Sequence, residues 1–222
     1  MGARHSGTGV GEEGATPWVW RSLYSGGEGV PIQESFFKQV TVFVARELLG
    51  SRIRSTVGGA TVEAVVVETE AYVGPHDHAS HAAARIGRTK RNLAMFGPPG
   101  GAYIYRSYGI HWCLNVVTRD EGYPAAVLLR AADPLAGLDH MKRRRGGKES
   151  LCSGPGRLAQ ALGVSGDLNG CSLFRGPLVL LEGWQVPDPI VGVSGRIGIS
   201  RAKDWPLRFF VRGHPEVSGK PR

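Results

Sequence analysis

Apolar positions along this chain recur at two different periods. Over residues 36–49, Phe37, Val40, Val44 and Leu48 share one face at helical spacing, with Ser35 ahead as an N-cap and Gly50 behind as a stop. The pattern predicts one helix there. Period-two and β-branched runs follow. Residues 52–56 and 61–68 predict a hairpin across Val57, Gly58 and Gly59. Further strands are predicted at residues 102–108, 112–118, 125–131, 178–181, 196–199 and 207–211. A short helix follows Pro134, and another opens near Pro155 and stops at Gly163. Residues 74–102 form a long loop region with many charges and three prolines, and loops of that length in a compact domain usually carry function. Residues 1–30 are Gly-rich and aperiodic, the pattern of a disordered tail, with Trp18, Trp20 and Tyr24 standing out in it. Residues 31–222 then make one domain. Short hairpin-connected strands with a few flanking helices predict an α+β fold around a mainly antiparallel sheet.

Charge narrows the choice of partner. The chain of 222 residues carries a formal charge of +8, and residues 1–35 alone carry two Arg against four Glu, so the rest is more basic still. Basic residues gather in residues 85–91, 142–148 and 196–212. Such a surface favours phosphate-rich partners. Cys113, Cys152 and Cys171 are odd in number and form no Cys-x-x-Cys pair, which points to reduced thiols rather than a disulfide frame or zinc knot. No apolar run approaches the roughly 20 residues of a membrane span, and the N-terminus lacks a basic-then-apolar signal pattern. A cytoplasmic, nucleoid-associated protein is expected.

Four constellations could carry chemistry. First, the apolar run of residues 64–67 delivers Glu68, Glu70 and Tyr72 at the end of a strand, with His81 in the following loop. Residues i and i+2 of a strand share a face. A carboxylate at a basic nucleic-acid site is a natural general base for water, and the bland alternative is a salt bridge to a nearby Arg. Second, Tyr103, Tyr105 and Tyr108 precede Gly109, His111, Trp112 and Asn115. Aromatics that stack on bases, with one that wedges into a duplex, are the tools of base flipping. Tyr103 reads better as a core residue and Tyr108, beside a turn glycine, as an exposed one. Third, His76, Asp77, His78 and His81 are metal-ligand types, but they meet no recognised metal spacing and lack cysteine partners. No metal is expected, and His81 is expected to stack or to order the loop. Fourth, Cys152, Ser153, Gly154, Pro155 and Gly156 open a helix whose free N–H groups could hold a phosphate or be ordinarily capped.

In series, several of these motifs resemble the alkyladenine (3-methyladenine) DNA glycosylase family. They are Val67-Glu-Thr-Glu-Ala-Tyr72 with Gly74-Pro75 and His81, then Thr89-Lys-Arg-Asn92 with Met95-Phe96, then Tyr103, Tyr105 and Tyr108-Gly109, Cys113 with Asn115, Leu128-Leu-Arg130-Ala131, and Cys152-Ser-Gly-Pro155. Order and approximate spacing hold from about Phe36 to Ser218. The resemblance implies a single mixed domain with a protruding β-hairpin that enters the minor groove. It implies a monofunctional N-glycosylase, without cofactor and monomeric, acting on double-stranded DNA that contains a damaged purine. It also implies roles. Glu70 matches the general base, and Arg130 and the main chain at Ile197 match groups that hold the attacking water. Tyr72 matches the aromatic on one side of the flipped base, His81 and Tyr105 the stack on the other, Asn115 a pocket-lining asparagine, and Tyr108 the intercalating wedge. Glu68 is left a structural part.

The sequence departs from the family pattern at His111, where some relatives carry tyrosine, in a longer segment between Asn115 and Arg130, and in its acidic, Gly-rich tail. Two other readings stay open at this stage. One is a metal-dependent hydrolase built on the histidine loop, and the other a catalytically silent binder of damaged or bent DNA.

Overall fold

The computed structural model describes residues 29–219. The expected tail of residues 1–30, with Trp18, Trp20 and Tyr24, lies outside them apart from Gly29 and Val30. The described chain opens with two short helices, α1 (Glu34–Phe37) and α2 (Thr41–Glu47). These replace the single predicted helix of residues 36–49. The Phe37 carbonyl, which a continuous helix would bond to the Thr41 amide, accepts instead from the Arg119 N–H at 2.9 Å. Ser35 therefore sits inside α1 and caps nothing. Val40 is exposed while Phe37, Val44 and Leu48 are buried, so only three of the four predicted face positions reach the core. Gly50 takes the positive φ of 83° that ends the segment.

The sheet contains β1 (Arg52–Ser55), β2 (Val62–Tyr72), β3 (Ala102–Ser107), β4 (His111–Thr118), β5 (Ala125–Ala136), β6 (Leu178–Leu181), β7 (Val191–Ser194) and β8 (Arg208–Val211). Its order is β3-β4-β5-β2-β1-β6, with β8 bridging β2 and β7, and every pairing between these strands is antiparallel. Helices α3 (Leu138–Arg144) and α4 (Pro155–Leu162) lie where Pro134 and Pro155 predicted them, and Gly163 ends the second. This is the expected α+β domain.

Strand β2 organises the molecule. β5 runs along one of its edges, and β1 and then β8 share the other. The strand extends through Tyr72, past the predicted end at residue 68, because Glu70 pairs with both Leu128 and Arg208 across the ladder. Thr69 turns toward α2, its hydroxyl donating to the Ala45 carbonyl at 2.7 Å, which leaves Glu68 and Glu70 on the opposite face. The ladder shifts register twice around Glu68, first skipping Val67 of β2 and then Arg130 of β5. Bulges of this kind re-aim side chains. Here Arg130 is turned onto the two glutamates. The main apolar core gathers helix residues such as Val44 and Leu158 against sheet residues such as Val65, Val66 and Leu129.

β5 runs to Ala136, past the predicted end at residue 131, and two strand assignments differ from expectation. Val191–Ser194 is a strand that the pattern did not announce. Residues 196–199 form none, because the Ile197 amide is turned into the domain rather than into a ladder.

Candidate active site

Glu70 is fully buried, yet it is surrounded by donors. Its Oε1 accepts from the Ile197 backbone N–H at 2.7 Å and lies 3.2 Å from an Arg130 guanidinium nitrogen, while Oε2 accepts from the Tyr72 hydroxyl at 3.1 Å. One lone-pair position on Oε2 is left over by this count. Burial pushes the Glu70 carboxyl above the ordinary carboxylate range. Arg130, the Ile197 N–H and the Tyr72 hydroxyl pull it back, and Glu68 pushes it up again. Burial works against the charge of Arg130, but Glu70 and Glu68 more than offset it and hold the guanidinium protonated.

Glu68 faces the same interior and does a different job. Its Oε1 accepts from Arg130 Nε at 3.0 Å and from Arg208 Nε at 2.6 Å, and its Oε2 from the Ser218 backbone N–H at 2.6 Å. Arg130 also donates to the Ser218 hydroxyl at 3.1 Å. Two buried glutamates thus meet two buried arginines, and the guanidinium of Arg130 is fixed from three sides. Both acids are ion-paired with Arg130, and Glu68 alone also pairs with Arg208.

Three residues that hold the carboxylate, Tyr72, Arg130 and Ile197, line a cavity of about 530 Å³, within the size range of small-molecule sites. Tyr72, His81, Tyr105, Asn115, Arg130 and Ile197 all line it, and Tyr108 stands at its rim. The His81 and Tyr105 rings meet edge to face with centroids 4.4 Å apart, and Tyr103 stacks behind Tyr105 at 5.4 Å. Tyr103 is buried, its hydroxyl 2.9 Å from His81 Nδ1, so it supports the pocket aromatics from within the fold. Burial, and then the charge of Arg91, lower the His81 pKa, which leaves the imidazole neutral at neutral pH. Asn115 donates its amide to the Tyr103 carbonyl at 2.9 Å, which fixes its orientation in the pocket.

Tyr108 occupies the tip of the β3–β4 hairpin and is 87% exposed. It has φ of 49° and Gly109 φ of 70°, with the Ile110 N–H closing the turn on the Ser107 carbonyl at 3.0 Å. A bulky residue at positive φ costs ~1–3 kcal/mol. A large apolar side chain held in solvent on a strained turn is the geometry of a probe.

The histidine loop holds no metal-ligand cluster. Asp77 is spent on Arg196, and among the described residues no group of three or more His, Cys, Asp or Glu could hold a metal ion. The residues that sequence reasoning missed are lining and support. Ala79 comes from the long loop, beside Arg91 and Met95, which the family motif contained without a role, and Gly198 and Ile199 come from the segment after Arg196. Arg208 and Ser218 secure Arg130 and Glu68 from the C-terminal part of the chain. Nothing local marks them, since each acts on a partner far away in sequence.

Known proteins share this chain's sequence over most of its length. A family model described as methylpurine-DNA glycosylase (MPG) matches residues 35–215. A protein of Nitrosospira multiformis is 50% identical over 186 residues, covering 82% of this chain and 91% of its own. One from Chlorobaculum parvum is 46% identical over 186 residues, covering 82% and 88%. One from Rhodopseudomonas palustris is 47% identical over 196 residues, covering 87% and 92%. All three carry the name "Putative 3-methyladenine DNA glycosylase". With the buried acid, the aromatic cavity and the exposed hairpin tip in place, the matches over most of its length show that the chain belongs to the methylpurine-DNA glycosylase family.

Proposed function

We propose that this DNA glycosylase of base-excision repair hydrolyses the N-glycosidic bond of alkylated or deaminated purines flipped out of duplex DNA, leaving an abasic site. The observation that carries the reading is a fully buried carboxylate, Glu70, ringed by donors that line an aromatic cavity in a basic protein. Breaking the bond builds positive charge on the sugar, and a carboxylate stabilises that charge as in glycoside hydrolysis. Glu70 also takes the proton of the attacking water, help worth about 10²–10⁴-fold. Arg130 and the Ile197 amide hold the carboxylate so that its remaining lone pair meets that water.

Purines alkylated at N3 or N7 are cationic and leave readily without taking up a proton. They stack against Tyr72 on one side and His81 with Tyr105 on the other, cation–π attraction contributing roughly 1–2 kcal/mol. The neutral His81 adds no repulsive charge to such a base. Asn115, with its amide held by the Tyr103 carbonyl, reads the base edge. Tyr108 fills the gap left in the duplex. No lysine is among the residues that line the cavity, which supports hydrolysis without a Schiff base or strand cleavage. The three free cysteines fit a reducing compartment, and the enzyme acts as a cytoplasmic, nucleoid-associated monomer.

The test is one incubation with duplexes carrying 3-methyladenine, 7-methylguanine, hypoxanthine or ethenoadenine, followed by alkaline cleavage. The expected result is breaks at one or more lesions with alkali and none without it. An uncut panel contradicts the activity, and breaks before alkali contradict the monofunctional mechanism.

A further inference from the structure

The Asp77–Arg196 pair lies behind the cavity, and the chemistry above does not use it. Both side chains are fully buried. The pair is bidentate, with Arg196 nitrogens 2.5 Å from Oδ2 and 2.8 Å from Oδ1 of Asp77. Asp77 also accepts from the backbone N–H groups of Val73 at 3.3 Å and Ala79 at 3.0 Å. Arg196 donates to the Ala71 carbonyl at 3.0 Å, and its guanidinium lies over the Tyr72 ring at 4.7 Å from the centroid. Between them the two residues grip Ala71, the Tyr72 ring and Val73 in succession. Arg196 is also the chain neighbour of Ile197, whose N–H meets Glu70.

A buried ion pair is weak evidence for stability, because an apolar pair of similar volume often serves as well or better. What this pair supplies is placement. It joins three segments around the cavity: the end of β2, the loop that carries His81, and residues 196–199, which belong to no strand. We infer that Asp77 and Arg196 are positioning residues. They lock the Ile197 amide and the Tyr72 ring in place, so that Glu70 keeps one orientation toward the attacking water. The inference rests on the general-base reading of Glu70.

Positioning acts on rate, and it is visible in the pH profile. Glu70 is faced by Glu68 and Tyr72 from its own strand, by Arg130 from β5, by the Ile197 amide, by Tyr105 and Cys113 from β3 and β4, and it is paired in register with Arg208 of β8. Of these, the Ile197 and Tyr72 donors depend on Asp77–Arg196. Both favour the ionised carboxylate, so losing them moves the acid limb of the reaction to higher pH.

The experiment compares the full-length wild type with Asp77→Asn and Arg196→Lys. Asp77→Asn removes the charge. Arg196→Lys keeps the charge, and with it the fold, but loses the planar fork. Single-turnover release of 7-methylguanine is followed across pH, alongside binding of an abasic duplex. The expected result is a rate lower by roughly 10- to 100-fold, as for a small misplacement of a reacting group, with the acid limb at higher pH and abasic-duplex binding unchanged. A folded variant with wild-type rate overturns the inference. So does one whose rate falls while the acid limb stays fixed, since that marks a merely structural pair. Glu70→Gln, run in parallel, separates the two levels. If it releases base normally, the general-base reading itself fails. If it is inactive while Asp77→Asn and Arg196→Lys behave as wild type, only the positioning role fails.

Discussion

Glu70 is held between opposing influences, and their balance sets how the reaction should respond to pH. Burial favours the neutral acid, while Arg130, the Ile197 amide and the Tyr72 hydroxyl favour the carboxylate, and the net displacement is upward. A general base works only when ionised, so activity rises as pH rises through its pKa. The acid limb of the single-turnover rate is therefore expected above the range of an exposed glutamate. A rate that stays flat down through the ordinary carboxylate range contradicts the assignment. At this scale much was legible. The Glu70, Tyr72 and His81 spacing and the Leu-Leu-Arg-Ala context of Arg130 carried the family resemblance, and the fold brings Tyr72, His81 and Arg130 to one cavity with Glu70 bonded to Tyr72 and Arg130. The glutamates' separate tasks were not legible, because two acids two apart on a strand look alike until Arg208 and Ser218 choose between them. Nor was Asp77 with Arg196, a pair 119 positions apart that no local pattern joins.

Elements follow the sequence wherever burial alone decides. The hairpins, α3, the proline-started α4 and β6 lie within a few residues of their predicted places. They depart from it where polar groups are paired inside. β2 continues through Glu68 and Glu70 because buried arginines neutralise carboxylates that would otherwise end an apolar run. Residues 196–199 are not a strand because the Ile197 amide serves Glu70. The helix pattern of residues 36–49 breaks because Arg119 takes the Phe37 carbonyl. The β3–β4 hairpin is the element whose local chemistry spoke most clearly, through Tyr108 beside Gly109. In the proposed reading its tip touches the opened duplex rather than the reacting bond. Tyr108→Ala is thus expected to lower the flipped fraction, read from a fluorescent base analogue beside the lesion, while leaving the fold intact. A flipping signal equal to wild type contradicts the wedge.

For the whole molecule, net charge overstates what faces DNA. Arg130, Arg196 and Arg208 are buried in ion pairs, and Arg52 is paired with Glu63. In the run of residues 142–145, Lys142 pairs with Glu149, and Arg144 and Arg145 bond the carbonyls of Ala161 and Ser150. Arg85, Arg88, Lys90, Arg91 and Arg106 remain exposed, and Arg91 lines the cavity. The clusters of residues 142–148 and 196–212 each lose buried members (Arg145, Arg196, Arg208) to the architecture but keep Lys142, Arg143 and Lys148, and Arg201, Lys203 and Arg212, exposed, and in the proposed reading the five cations beside the cavity face the phosphates. With about five phosphate contacts, the logarithm of affinity should fall against the logarithm of salt with a slope of about −4 to −5. Titration of an undamaged duplex by fluorescence anisotropy measures it, and a flat response contradicts a DNA groove on this face.

The central claim is that one buried carboxylate performs the hydrolysis, and Glu70→Gln tests it most directly. The substitution keeps shape but turns one acceptor oxygen into a donor and removes the base. Single-turnover release of 7-methylguanine from a methylated duplex should fall by about 10²-fold or more, with DNA binding retained. Release near the wild-type rate would show that the chemistry lies elsewhere.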